Sequence, residues 1–571
     1  MRMSIQVPKM SLRAGQAVYA RRLSGGGRPV ATPGTVAGGT QPAKIELFFG
    51  VISPAGTNTD KFIAALTGLL IEYGFRVERI KLSTLLIETI RFRDPSKTIP
   101  EEGAERISTL ITEGDNLCEE LDMPSAIAAL GVTKIRSLRK RSDTSSTSRQ
   151  ESWIQNTGEE RGERVAYIFD SLKRSVEVTK LREIYCDHLL IFSLDDSRAR
   201  REKRMVRSFQ HVHPASDARE HRQAAEELIE RDNKEPGNPK YGQDSATTYP
   251  LADVFIEMKT AVRRQVRRVL RLLFDSPIYP VPTRAEYAMS VAALTTTKSA
   301  ELGTKIAAAI TTRSGELVAT GANVHPRHQG APRYDEGFGD LRALVVDTLR
   351  RLSNAQLIPE EKLLKNSEGS QGRGSIDRLA NSLLVGELAQ SRIREITEYM
   401  RPVHGEMNAL LNAMLAGVQV NGGTIYVTAY PCHNCAKHLI SLDMQIQYLE
   451  PYSKSRTQRM YGDDSALRIS RFIGIAPRSY DRLFQPEESN RKSSEGARNP
   501  EDLTRAQPKV SAITAAGIQE REMELVKSLE DALGNHPRGR SQSSRRSRER
   551  RAHRGRFLGS RVGQPPGWRR R

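Results

Sequence analysis

Cysteine is scarce in this 571-residue chain: four occur, at positions 118, 186, 432 and 435. Two isolated thiols and one close pair cannot build a disulfide framework, and they fit a reducing compartment, so the expected location is cytoplasmic. No uninterrupted apolar run approaches the ~18 residues of a membrane-spanning helix, which excludes a span of that kind and leaves no membrane partner. Acidic residues are missing before Glu46, and between Arg538 and Arg571 a single one, Glu549, stands among thirteen arginines. That tail therefore holds +12 of the formal net charge of +20, so the basic balance belongs to one terminus and not to the chain as a whole. The opening stretch, residues 1–43, is rich in Gly, Arg and Pro and reads as a disordered leader. It has neither the apolar core of a secretory signal nor the amphipathic helix of a transit peptide, and a start assigned too early explains it equally well.

What is present concentrates between Pro402 and Leu442. Apolar residues Met407, Leu410, Leu411, Met414 and Leu415 recur at helical spacing, with His404 and Glu406 in the first turn. Asn421-Gly422-Gly423 then turns the chain into the β-branched run Thr424–Thr428, a buried strand. Pro431 opens a second helix that carries Cys432 and Cys435 three residues apart, on one face. Two helix N-termini meeting at one point would favour thiolates and a cation. One imidazole and two thiolates make three zinc ligands, one short of a closed structural site, so a position stays open for water. Glu406, two residues from a ligand, is the spare carboxylate that can move protons. H-x-E followed by P-C-x-x-C is the general signature of zinc deaminases. A redox pair, or a structural site closed by His433 or His438, accounts for the two cysteines but not for the preceding H-x-E.

Upstream, Lys44–Asn58 reads as a strand entering a Gly/Pro loop, followed by a helix from Asp60. Strand, tight loop and helix is the arrangement that holds phosphate, which nominates Gly50, Ser53, Gly56 and Thr57 as a nucleotide cradle. The Lys expected before the last Ser/Thr of a Walker loop is absent. Strands over Phe75–Leu82, Arg164–Asp170 and His188–Leu194 alternate with helices and predict a parallel sheet covered on both faces. Asp170, at a strand end, stands where a Mg²⁺ ligand would sit, and Arg198, Arg200, Arg201 and Arg204 follow another strand like the lid of a nucleotide kinase. Ser137–Gly162 is polar and aperiodic, and predicts a loop.

A second domain begins at Pro282. Its first helix is followed by a hairpin over Ile306–Gly321, after which Asn323 is delivered towards a pocket. Residues 330–399 read as an insertion with helical segments. The sequence thus predicts an α/β protein with four parts: the leader to 43, a P-loop-like domain over 44–275, a deaminase-like α/β/α domain over 282–486, and a disordered basic tail over 487–571.

Together, Gly50-Val-Ile-Ser-Pro-Ala-Gly-Thr, Phe169–Val178 with Leu181–Tyr185, Leu228–Glu235, Pro282–Met289 and Tyr448-Leu-Glu-Pro-Tyr-Ser-Lys-Ser resemble the two-domain anti-phage dCTP deaminases. In that family a P-loop kinase-like domain is joined to a deoxycytidylate-deaminase domain. The resemblance implies zinc on His404, Cys432 and Cys435, proton transfer by Glu406, and contact of Asn323 with the nucleotide sugar. It further implies deamination of dCTP or dCMP that depletes the deoxycytidine nucleotide pool during infection. Mg²⁺ and a nucleoside triphosphate are expected at the first domain, which would act as sensor or regulator, and the expected assembly is a homo-oligomer. Two departures stand out: Lys305–Ile310 has Ala307 or Ala308 where the family has an active-site Gly, and Gly405 replaces the usual Ala. The alternatives are a deaminase of cytosine in RNA or single-stranded DNA, held by the basic tail, and a nucleotide-sensing or RNA-binding regulator without catalysis.

Overall fold

In a computed structural model, the chain is described over residues 45–157, 163–233, 238, 240–274, 280–300, 305–325, 339–358, 373–391, 393, 402–450, 457–462, 466–485, 503–510 and 515–534. The leader to residue 43, the arginine-rich stretch from 538, and Tyr452–Ser455 lie outside them.

Long apolar runs build the first sheet. β1 (Ile45–Ile52) leads to α1 (Thr59–Glu72), and β2 (Arg76–Lys81) passes straight into α2 (Leu82–Arg93). Then come α3 (Gly103–Glu120), α4 (Ala126–Thr157), β3 (Arg164–Leu172), α5 (Ser175–Tyr185) and β4 (Leu189–Asp195). Helices α6 (Arg198–Val212), α7 (Ala218–Asn233) and α8 (Ser245–Thr248) precede β5 (Val254–Glu257) and α9 (Val262–Leu273). β1, β3 and β4 are buried almost throughout, as strands covered on both faces must be. Neighbouring residues of β1 accordingly enter different cores: Phe48 joins Tyr167, Phe169 and Tyr185 on one face, while Phe49 joins Phe62 and Phe192 on the other.

The second sheet follows. α10 (Arg284–Thr295) leads into the antiparallel hairpin β6 (Ala307–Thr311) and β7 (Leu317–Ala322). A helix pair, α11 (Gly339–Asn354) and α12 (Arg373–Val385), packs through its own small core of Val345, Val346, Leu349, Ala380 and Leu384. α13 (Gly405–Leu415), β8 (Thr424–Ala429), α14 (His433–Ser441), β9 (Gln445–Glu450), α15 (Thr457–Tyr461) and β10 (Ile469–Arg471) complete it. The strand order is β10-β9-β8-β6-β7, with β8, β9 and β10 parallel and β6 antiparallel to both its neighbours. α13 lies directly on β7 because Gly321 leaves room for it: a Cβ there would stand 2.1 Å from the Ala409 nitrogen.

Immediately after β10 the chain returns to the first sheet. β11 (Gly474–Ile475) pairs antiparallel with β5, giving the order β11-β5-β4-β1-β3-β2, and α16 (Tyr480–Phe484) follows. α17 (Ala515–Gly534) packs on α4 and α5. One hydrophobic cluster runs through both sheets, uniting Phe48 and Phe255 with Met289, Ala309, Tyr426 and Phe472.

Three sequence expectations are corrected here. Ser137–Thr157 continues the helix α4 and is no loop, since the stretch from Val132 to Thr157 holds neither Gly nor Pro to stop a helix. The boundary at 486 cuts through material that belongs to the first sheet, because a two-residue strand carries no periodicity to read. The expected disordered tail from 487 contains α17, whose Ile518, Leu525, Val526 and Leu529 are buried.

Candidate active site

Two helix N-termini bring the motif residues together. His404 is the N-cap of α13 in an extended conformation, and helical geometry starts at Gly405, so the imidazole projects from the helix mouth. Cys432 is the N-cap of α14, its Sγ accepting from the Cys435 N–H at 3.4 Å. His404 Nδ1 lies 3.4 Å from both Cys432 Sγ and Cys435 Sγ, and the three donor atoms all fall within 4.8 Å of one another. Two ligands at Zn–N and Zn–S lengths on a tetrahedral centre stand about 3.5 Å apart, so the donor set fits zinc in both chemistry and spacing. Neither His433 nor His438 joins the cluster, which has three members among the described residues.

Glu406 is buried next to these donors, and its Oε2 has no hydrogen-bond partner. Burial raises its pKa to about 7, with the nearby Cys432 adding to the rise. The hydrogen bond from Cys435, and then His404, hold Cys432 down to about 4 against its burial, while Cys435 is pushed up by its neighbour Cys432 and by desolvation. His404 rises, chiefly through its bond to Cys432. The arrangement is a neutral-prone carboxyl beside a thiolate and an imidazole, a mixture suited to proton transfer near neutral pH.

Asn323, directly after β7, accepts the Gly405 N–H on its Oδ1 at 2.9 Å and so ties the hairpin to the start of α13. Gly405 itself touches β6: a Cβ would lie 2.7 Å from the Ile306 carbonyl oxygen and 2.9 Å from the Ala307 Cα. The change from the usual Ala is therefore matched to a close approach of helix and strand.

The first sheet places its nominated residues differently. Gly50 is inside β1, where a Cβ would meet Leu172 and Ile191, so it is a packing glycine and not part of a cradle. Ser53, Gly56 and Thr57 do form the β1–α1 loop, Gly56 with φ +81° and Thr57 Oγ1 buried without a partner. Asp170 sits near the end of β3, and its Oδ2 accepts from Arg79 Nε at 2.9 Å and Nη2 at 2.5 Å. The α6 arginines grip the loop instead of standing over it as a lid: Arg201 Nη1 donates to the Ala55 oxygen at 2.9 Å and Arg204 to the Gly56 oxygen.

Two residues that sequence reasoning did not single out complete this loop. Lys173 Nζ donates to the Ser53 oxygen at 2.6 Å and to Asp232 Oδ1 at 2.7 Å, and Asp232 Oδ2 accepts the Ala55 N–H at 2.8 Å. A lysine thus reaches the loop from the residue just after β3, where the Walker position offers none. Both residues lie in stretches that carried the family resemblance, which was the available signal.

Residues 282–449 match the family described as the cytidine and deoxycytidylate deaminase zinc-binding region. The ComE operon protein 2 of Bacillus subtilis strain 168 is 43% identical over 53 residues, 9% of this chain and 28% of that protein. The deoxycytidylate deaminase of Enterobacteria phage T2 is 38% identical over 55 residues, 10% of this chain and 29% of its own. The chain thus spans under a third of the length of the curated relatives it matches. Among solved structures, the dCMP deaminase of cyanophage S-TIM5 in complex with dCMP and dUMP aligns with 34% of this chain and 98% of its own, at 16% identity and a TM-score of 0.20. A gluconokinase from Sinorhizobium meliloti 1021 aligns with 39% and 90%, at 12% identity and a TM-score of 0.18. The chain therefore carries a deaminase-type zinc-binding region within a mixed α/β fold of two sheets. Among the described residues no helix is long and apolar enough to cross a membrane.

Proposed function

We propose that this chain is a zinc-dependent hydrolytic deaminase of deoxycytidine nucleotides, converting dCTP or dCMP to the deoxyuridine nucleotide with release of ammonia. The observation that carries this reading is the three-donor cluster of His404, Cys432 and Cys435 beside the buried, unpartnered oxygen of Glu406. Zinc held by those donors supplies Lewis acidity and brings water within reach of ionisation near neutral pH. Glu406 takes one proton from water and gives it to the ring nitrogen of the base, then takes the proton of the hydroxyl newly bonded to the ring carbon and gives it to the amine, which leaves as ammonia while the carbonyl forms. Its raised pKa suits both directions of transfer, and its burial keeps competing solvent away. Asn323, whose Oδ1 anchors Gly405, corresponds to the residue that contacts the nucleotide sugar in the family the chain resembles.

We assign the deaminase module to residues 282–471 and a nucleotide-binding role to the β1–α1 loop of the first sheet. Ser53, Gly56 and Thr57 form the cradle, with Lys173 as its cation, and Mg²⁺ enters with the nucleotide. Exposed Leu411, Met414 and Leu415 on one edge of α13 favour self-association. The resemblance to the anti-phage enzymes makes depletion of the dCTP pool during infection the biological role we infer.

The deciding experiment is ammonia release by zinc-loaded protein over a panel of deoxy- and ribonucleotides, with and without ATP or GTP. Turnover confined to deoxycytidine nucleotides is the expected result. Inertness towards all of them would sink the assignment.

A further inference from the structure

Arg471 is the last residue of β10, on the second sheet, yet it makes contacts on both sides of the molecule. Its Nε donates to the Tyr448 hydroxyl at 3.2 Å, across the β9–β10 register pair Arg471↔Tyr448. Its Nη1 reaches Asp195 Oδ1 at 3.4 Å, at the end of β4 in the first sheet. The guanidinium also lies over the Tyr249 ring, 4.8 Å from its centroid.

Each partner leads further. The Tyr448 ring meets Tyr430 edge-on, with centroids 4.8 Å apart and planes at 77°. Tyr430 donates its N–H to the Glu450 oxygen at 2.7 Å, and two residues later the chain reaches Cys432. On the other side, Asp196 follows Asp195 and binds Arg200 and Arg204, and Arg204 holds the Gly56 carbonyl of the β1–α1 loop. Polar and ring contacts, linked through the chain itself at Asp195-Asp196 and Tyr430-Pro431-Cys432, thus join that loop to the turn that presents a thiolate of the zinc-type cluster.

We propose that Arg471 is a positioning residue: through Tyr448 and Tyr430 it fixes the Tyr430-Pro431-Cys432 turn, and through Asp195 it makes that turn answer to the first sheet. The inference rests on the deaminase reading for its effect on turnover, but not for its effect on metal affinity. Arginine suits the task because one planar group can donate to a hydroxyl and a carboxylate while stacking on a ring. Lysine can keep the ion pair but cannot reproduce all three contacts.

The test uses the full chain with Arg471→Ala, Arg471→Lys, Tyr448→Phe and Asp195→Asn. Two readouts are taken, steady-state dCMP deamination and zinc affinity by competition with a chromophoric chelator. Outer partners that orient a ligand are typically worth tenfold or more, so about a tenfold fall in kcat and in zinc affinity is expected for Arg471→Ala and Tyr448→Phe, with KM nearly unchanged. Arg471→Lys should recover part of both. Asp195→Asn should move both in the same direction although it lies in the other sheet, and the Ala/Phe double variant should be no worse than the worse single one. Folded Tyr448→Phe and Asp195→Asn proteins within twofold of wild type in both readouts would overturn the proposal. If the wild type deaminates nothing while Tyr448→Phe and Asp195→Asn still weaken zinc binding, the deaminase reading fails and the positioning role stands.

Discussion

Glu406 joins chemistry and stability in one side chain. Its neutral isostere, Glu406→Gln, should bind zinc normally and lose deamination by about 10²–10⁴-fold, measured as ammonia release at saturating dCMP. The same substitution has a pH signature in metal-free protein. The folded carboxyl titrates near 7 against an ordinary 4.5, so below 4.5 it is neutral in both folded and unfolded states and costs nothing. As pH rises through 7 the favourable contribution of the buried neutral form is lost. Glu406→Gln should therefore melt like wild type at pH 4 and be more stable at pH 8 by roughly 3 kcal/mol, from about 1.4 kcal/mol per pH unit. Equal melting curves at pH 8 would contradict the burial argument. Gly405→Ala is a second check at this scale. Helix propensity alone favours Ala by about 1 kcal/mol, but overpacking against the Ile306 carbonyl should make the variant about 1–3 kcal/mol less stable in urea melts. His404, Glu406, Cys432 and Cys435 were legible in the sequence because their spacing is local and tied to helix starts. Lys173, Asp232 and Arg471 were not, because each acts on residues far away in the chain, and no periodicity records such a meeting.

At the scale of elements, α17 is held by a buried ionic cluster. Arg139 binds both oxygens of Glu46, at 2.9 and 2.8 Å, and also Glu522 of α17, while its guanidinium lies 5.9 Å from the centre of the Phe48 ring and 5.7 Å from that of Tyr167. Removing one partner from a buried ion group strands the others, so Arg139→Ala should cost about 3–5 kcal/mol in denaturant melts. Replacing Glu522 by Gln, which keeps the shape, should cost less. Proteolysis in native buffer should then cut near α17 sooner in either variant. β1, β3 and β4 were readable from their apolar runs, β2 from its β-branched residues, and the β6–β7 hairpin from its Ser-Gly turn, whereas the short β5 and β11 were not read. α17 had a readable signal too, in Ile518, Leu525, Val526 and Leu529, but the polar composition around it masked the helical spacing. α4 beyond Ser137 lacked that stripe altogether, and only the absence of breakers spoke for a helix.

For the molecule as a whole, the thirteen arginines from Arg538 onward set an electrostatic test. Deleting residues 538–571 should leave deamination of free nucleotides within about twofold, while retention on a nucleic-acid column at low salt should drop sharply, as expected when phosphate contacts are lost. Loss of turnover on free dCMP would instead make the tail part of the enzyme. The path of the backbone carries a separate implication. Strands β6 to β10 are enclosed in sequence between β5 and its edge partner β11, so during synthesis the earlier sheet must wait, with its border and the α17 side unfinished, until the later one has left the ribosome. Such nesting makes the first half a poor candidate for life on its own. Any gene rearrangement that split the two halves would leave a remnant with a bare strand edge and an exposed apolar surface.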